Sequence, residues 1–223
     1  MLRVALTPAA PVHAKVGSMV AYTGQLSFVR ASSRAGGVKK MFKKAVSGEG
    51  VTLMNVTGGG HLYAADDAKS IILLRLGAGE SLSVSGNDVL AFEATVQWDV
   101  HLTKGAGGML SKGLASVYLT GPGVVAITCH GDPLALPVGP GHDAVTDPEA
   151  AVAWSGHLKP TLKTAITVRA AIGRSSGETL QMAFASDKPG FVIVQPYEEK
   201  PPPPPPSSGG AGAGFMEAAG SLI

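Results

Sequence analysis

Cys129, His130 and Asp132 form the densest group of metal-capable and acid–base side chains in this sequence. Joint ligation needs converging donors, and neighbouring side chains on an extended strand point to opposite faces. The spacing therefore argues against a metal site. The other histidines are His13, His61, His101, His142 and His157. They include no His-x-His pair and no His-Glu-x-x-His pair, patterns that would bring metal ligands together on one element. His101 and His157 read as outward-facing residues that recur because a unit was duplicated. Cys129 is the single cysteine, which excludes an internal disulfide and a cysteine-rich metal centre. No metal or cofactor is expected.

Nucleophilic and phosphate chemistry fare no better. There is no Gly-x-Ser-x-Gly elbow to present a serine. The glycine clusters at 58–60 and 121–123 lie between apolar strands rather than before helices, so hairpins account for them without a bound phosphate. Thr120-Gly-Pro-Gly123 suits a type II turn, with Pro122 at the second position and positive φ at Gly123. Asp66-Asp67 and Asp143 with Asp147 sit where turn caps belong. No catalytic residue is expected.

Charge is unevenly spread. Arg3, Lys15, Arg30, Arg34, Lys39, Lys40, Lys43 and Lys44 face Glu49 alone in the first fifty residues, a net +7. The whole chain is only +2, so the remainder sums to −5. In Gly37–Val46 the apolar Val38, Met41, Phe42, Ala45 and Val46 share a helical face, and Lys39, Lys40, Lys43 and Lys44 take the other. This patch could meet an anionic partner or lie on an anionic membrane surface. The stretch is short for an anchor, which favours a short helix capping one end of the fold, its lysines solvated. Nucleic-acid binding is the rival reading, but aromatics are only 5% of residues and single-strand readers need exposed stacking platforms.

The elements that would position these residues are strands. In Ala94–Leu102 the apolar Ala94, Val96, Trp98, Val100 and Leu102 alternate with polar residues, the period of a half-buried strand. The pattern recurs around Val152–Trp154 and faintly around Leu26–Phe28. Phe28, Trp98 and Trp154 thus read as equivalent core aromatics, each following a turn glycine, Gly17, Gly86 and Gly141. Val56-Thr-Gly-Gly-Gly60 likewise matches Leu119-Thr-Gly-Pro-Gly123, with a looser third copy at Leu180–Phe184 and Gly190–Gln195. These correspondences predict an all-β fold, a β-sandwich of three tandem pseudo-repeats at about 3–66, 70–130 and 131–197, with one helix near 37–46. Residues 1–198 form a single domain on this reading. The six prolines and the Gly/Ser/Ala run in 199–223 predict a disordered tail.

Several of these stretches resemble one known family. They are Gly17-Ser-Met-Val20, Ser47-Gly-Glu49, Gly58-Gly-Gly-His-Leu-Tyr-Ala-Ala65, Gly121-Pro-Gly-Val-Val125 and Gly190-Phe-Val-Ile-Val-Gln195. The family is the altered-inheritance-of-mitochondria, or mitochondrial biogenesis, family, and the resemblance covers about residues 3–197. It implies a β-sandwich related to the tryptophan-RNA-binding attenuation protein, with tandem repeats, homo-oligomers and no established enzymatic activity. The start close to the domain points to a bacterial, cytoplasmic member.

The functional expectation is a non-enzymatic oligomeric scaffold or binding protein. Its alternative is a protein that binds RNA or an anionic membrane surface through the basic first repeat. Charged residues are only 15%, against about 25% in ordinary soluble domains, so little charge is available to protect sheet edges from association. A homo-oligomer follows, with a trimer as the guess. No run approaches eighteen apolar residues, so no transmembrane segment is expected.

Overall fold

Alternating apolar residues and frequent turn-formers produce sixteen strands and no helix among the described residues. The computed structural model describes residues 1–31, 52–103, 114–164 and 180–197. The helix expected over 37–46 and the tail expected over 199–223 lie outside them.

The second stretch of chain shows the plan most clearly. It contains β5 (Ser70–Leu76), β6 (Ser81–Ser85), β7 (Val89–Glu93), β8 (Gln97–Thr103), β9 (Leu114–Thr120) and β10 (Gly123–Cys129). β10 lies between β5 and β7, and β9 lies between β6 and β8, all antiparallel. The third stretch has β11 (Leu134–Val138), β12 (Ala144–Thr146), β13 (Ala151–Ser155), β14 (Thr161–Thr164), β15 (Leu180–Phe184) and β16 (Gly190–Val194). It repeats that pairing: β16 lies between β11 and β13, and β15 between β12 and β14.

The first stretch uses fewer, longer strands. They are β1 (Leu2–Leu6), β2 (Val12–Lys15), β3 (Met19–Arg30) and β4 (Leu53–Ala64). β1 and β2 pair with successive halves of β4, and β3 pairs along its whole length. The registers coincide across all three stretches. Leu6 pairs with Gly60, Leu76 with Gly123 and Val138 with Gly190. Val12 pairs with Val56, Leu82 with Leu119 and Ala144 with Phe184.

What differs is the corner. The β3–β4 hairpin runs through it unbroken because Gly24 lies opposite Gly60, where a Cβ on Gly60 would run into the Thr23 carbonyl. In the other stretches both strands break there and change sheet. A strand leaving a sheet strands a backbone N–H. Glu93 Oε2 accepts the Val124 N–H at 2.9 Å, and Ser155 Oγ accepts the Phe191 N–H at 3.1 Å. These two side chains occupy corresponding positions.

The sheets pack face to face. One buried cluster joins Leu53, Phe92, Val125 and Ile127 of the seven-stranded sheet to Leu82, Val117, Leu119 and Ala153 of the six-stranded one. A second lies within the curl of the seven-stranded sheet, around Val12, Val56, Leu62 and Leu90. The third surrounds Trp154, Met182, Phe184 and Val192.

Four sequence expectations need correction. The strand expected from Ala94 begins at Gln97, because Ala94–Val96 form the corner turn, closed by Val96 N–H to the Glu93 carbonyl at 3.0 Å. Gly17 and Gly86 do lie in corresponding turns, between β2 and β3 and between β6 and β7. Gly141 does not: it lies between β11 and β12, where its counterpart is Gly79, and both have positive φ (74° and 79°). Trp154 is likewise displaced from Phe28 and Trp98. It pairs with Val192 as Phe92 pairs with Val125 and Tyr22 with Leu62, so the corresponding aromatics are Tyr22, Phe92 and Trp154. Finally, the Gly121–Pro122 bond is cis, not the trans bond of a type II turn.

Candidate interaction surfaces

The stretches are joined by strand pairing. β2 pairs with β7, setting Val12 opposite Glu93, His13 opposite Phe92 and Ala14 opposite Ala91. β6 pairs with β13, setting Leu82 opposite Ser155, Ser83 opposite Trp154 and Val84 opposite Ala153. These are the same junction built twice. In each, the preceding stretch covers an aromatic: Phe92 is 2% exposed and Trp154 4%.

At the first junction the His13 ring stands 5.1 Å from Phe92 and 6.0 Å from Trp98, between centroids. Burial among them holds its pKa below the ordinary imidazole value. Beside it, Lys69 Nζ lies 3.1 Å from Asp88 Oδ1 in a buried ion pair. Lys15 Nζ reaches Asp66 at 2.7 Å and the Asn87 carbonyl at 2.8 Å. The β4–β5 connection is thereby tied to the β6–β7 turn. Asp66 serves as a turn residue too, its carbonyl accepting the Lys69 N–H at 2.9 Å.

The Cys129–Asp132 group is not a convergent site. Cys129 is buried, and burial, then the nearby Asp88 and Asp132, push its thiol pKa up against the opposing effect of Lys69. A thiol held protonated is a poor nucleophile. His130 turns its ring onto Tyr197, 4.1 Å between centroids, and Asp132 is exposed. No three His, Cys, Asp or Glu residues are placed to hold a metal ion among the described residues.

The remaining candidates are dispersed. His61 Nε2 lies 3.0 Å from an Arg3 guanidinium nitrogen. His101 stacks on Tyr118 at 5.0 Å and 19°. His142 Nδ1 meets the Pro140 carbonyl at 3.1 Å. His101 and His157 are both exposed, but not as copies of one another. His101 lies within β8, and His157 sits in the β13–β14 connection, where Thr95 is its counterpart. Asp147 Oδ1 accepts the Glu149 N–H at 2.7 Å, the expected turn cap, and Asp143 is exposed. Lys39, Lys40, Lys43 and Lys44 lie outside the described residues.

Residues 1–197, which include all sixteen described strands, match the family described as mitochondrial biogenesis AIM24. The chain belongs to that family. Among curated proteins none matches it. Among solved structures it resembles an X-ray crystal structure of a Streptococcus pyogenes protein, at 20% identity and a TM-score of 0.69, covering 88% of each chain. At that identity the likeness speaks for the fold alone.

In this AIM24 chain sequence reasoning expected open sheet edges but did not single out which strands carry them, β3 and β12 among them. Among the described residues β3 pairs only with β4, and β12 only with β15. β3 is exposed along almost its entire length, and Met19–Val29 carries no charge. Tyr22, the third corresponding aromatic, is 48% exposed, and Val145 in β12 is 55% exposed. The available signal was the uncharged eleven-residue run Met19–Val29 itself.

Proposed function

We propose that this protein is a non-enzymatic, cytoplasmic homo-oligomeric scaffold, its three stretches descending from one duplicated unit. The observation that carries the reading is that β3 and β12, among other sheet edges, each keep one side unpaired among the described residues, on a chain that already uses strand pairing to join its own parts. The chemistry supports it as well: the one thiol is buried with its pKa raised, and the histidines are scattered. Among the described residues no helix is long and apolar enough to cross a membrane.

Light scattering of the full chain at micromolar concentration and about 0.15 M salt tests this reading. A mass of two or more chains is expected, and the mass of one chain would overturn it. Gel-shift and liposome-flotation assays at the same salt address the rival use of the basic first stretch, which ionic screening weakens there. Tight, sequence-dependent RNA retention, or flotation with anionic vesicles, would favour that rival.

A further inference from the structure

We infer that copies of this chain join head to tail, β12 of one copy pairing antiparallel with the outer edge of β3 of the next. The register sets Ala144 opposite Thr23, Val145 opposite Tyr22 and Thr146 opposite Ala21. This rests on the oligomeric reading and names its interface.

The completeness of the sheets carries the inference. One six-strand run reads β5-β10-β7-β2-β4-β3, and a second, of corresponding strands, reads β11-β16-β13-β6-β9-β8. The third run of the same plan would be β1-β4-β3-β12-β15-β14. Both of its halves exist, β1-β4-β3 and β12-β15-β14, and among the described residues the β3–β12 link between them is not formed. That link is the counterpart of the β2–β7 and β6–β13 junctions. Transferring their common register gives the pairing stated above.

The side chains agree. Phe92 and Trp154 are nearly fully buried by the strand that crosses them, and Tyr22, at the same position, is 48% exposed. Ser83, opposite Trp154, is buried, whereas its counterpart Val145 is 55% exposed. Two apolar residues that the plan sets opposite each other are thus both in water. Among the described residues the Trp154 cluster contains none of the first stretch, and β3 and β12 are not paired. Because each copy offers one β3 edge and one β12 edge, such pairing continues from copy to copy until it closes into a ring of two or more copies, or else forms a filament.

Tyr22→Cys and Val145→Cys, prepared as separate variants and co-expressed, test this directly. Directly opposed strand residues lie within disulfide range, about 4.4–6.8 Å between Cα atoms. The native Cys129 is buried and should not compete. Mild oxidation should link the two variants to each other and leave each alone unlinked. Tyr22→Cys linking to itself, or no link in a protein that remains oligomeric, would overturn the head-to-tail interface while the scaffold reading stands. A monomeric wild-type chain would overturn both. An internal disulfide at single-chain mass in the double variant would mean that the third sheet closes within one chain, which also overturns it. Independently, Tyr22→Lys with Val145→Lys places like charges opposite each other. It should raise the concentration of half-assembly about tenfold or more, and Tyr22→Lys with Val145→Glu should restore it. Both positions are exposed, so an unchanged circular dichroism spectrum is expected. Unchanged assembly in the Lys/Lys variant would count against the interface.

Discussion

Lys69 Nζ and Asp88 Oδ1 lie 3.1 Å apart with 3% and 1% of their side chains exposed, so an ion pair is held out of water beside the first junction. Such a pair is costly to break and cheap to replace as a unit. Asp88→Ala should destabilise the fold by about 3–5 kcal/mol, because it leaves an ammonium buried without its carboxylate. Lys69→Met with Asp88→Leu should cost far less than the sum of the single changes. Urea unfolding midpoints of the three variants measure this.

His13 should make stability depend on pH. Burial lowers its pKa from 6.5, so the folded chain favours the neutral ring and the unfolded chain binds the proton more readily. Its contribution is therefore complete above the unfolded value. It is lost as pH falls below about 6.5 and levels off below the lowered folded value. His13→Gln should flatten that part of the curve. An equal drop between pH 7.5 and pH 5 in variant and wild type would contradict this.

Cys129 should resist alkylation in the native protein. With its pKa raised and its sulfur buried, iodoacetamide at pH 8 should modify it at least about tenfold more slowly than an unfolded cysteine. Urea should abolish the difference. Rapid labelling of folded protein would show that the thiol is accessible.

The first corner should tolerate a methyl group at one glycine and not at its neighbour. Gly60 has φ +148°, and its added Cβ meets the Thr23 carbonyl, whereas a Cβ on Gly59 meets nothing within 4 Å. Gly60→Ala should cost about 1–3 kcal/mol and Gly59→Ala much less, read from thermal or urea unfolding.

The sequence carried much of the fold and little of the interaction surface. Alternation in Gln97–Thr103 and the apolar β10 and β16 were legible because a half-buried strand leaves a local period of two. The match of Val56–Gly60 to Leu119–Gly123 was legible as well, since both surround a close backbone approach that demands glycine. Trp154 was misaligned with Phe28 and Trp98 because aromatic size marks a buried position without saying which strand covers it. Gly141 was set beside Gly17 and Gly86 for a similar reason, since a turn glycine does not say which two strands it joins.

By itself the sequence determined the all-β class, the family and the position of most strands, because these follow from local patterning, turn chemistry and short motifs. Tertiary structure alone decided that Tyr22 corresponds to Phe92 and Trp154, that Lys69 meets Asp88, and that among the described residues β3 and β12 keep an open edge. The physical reason is that register and partner choice in a sheet are set between distant segments. A strand carries the same period of two whether its edge is covered or bare.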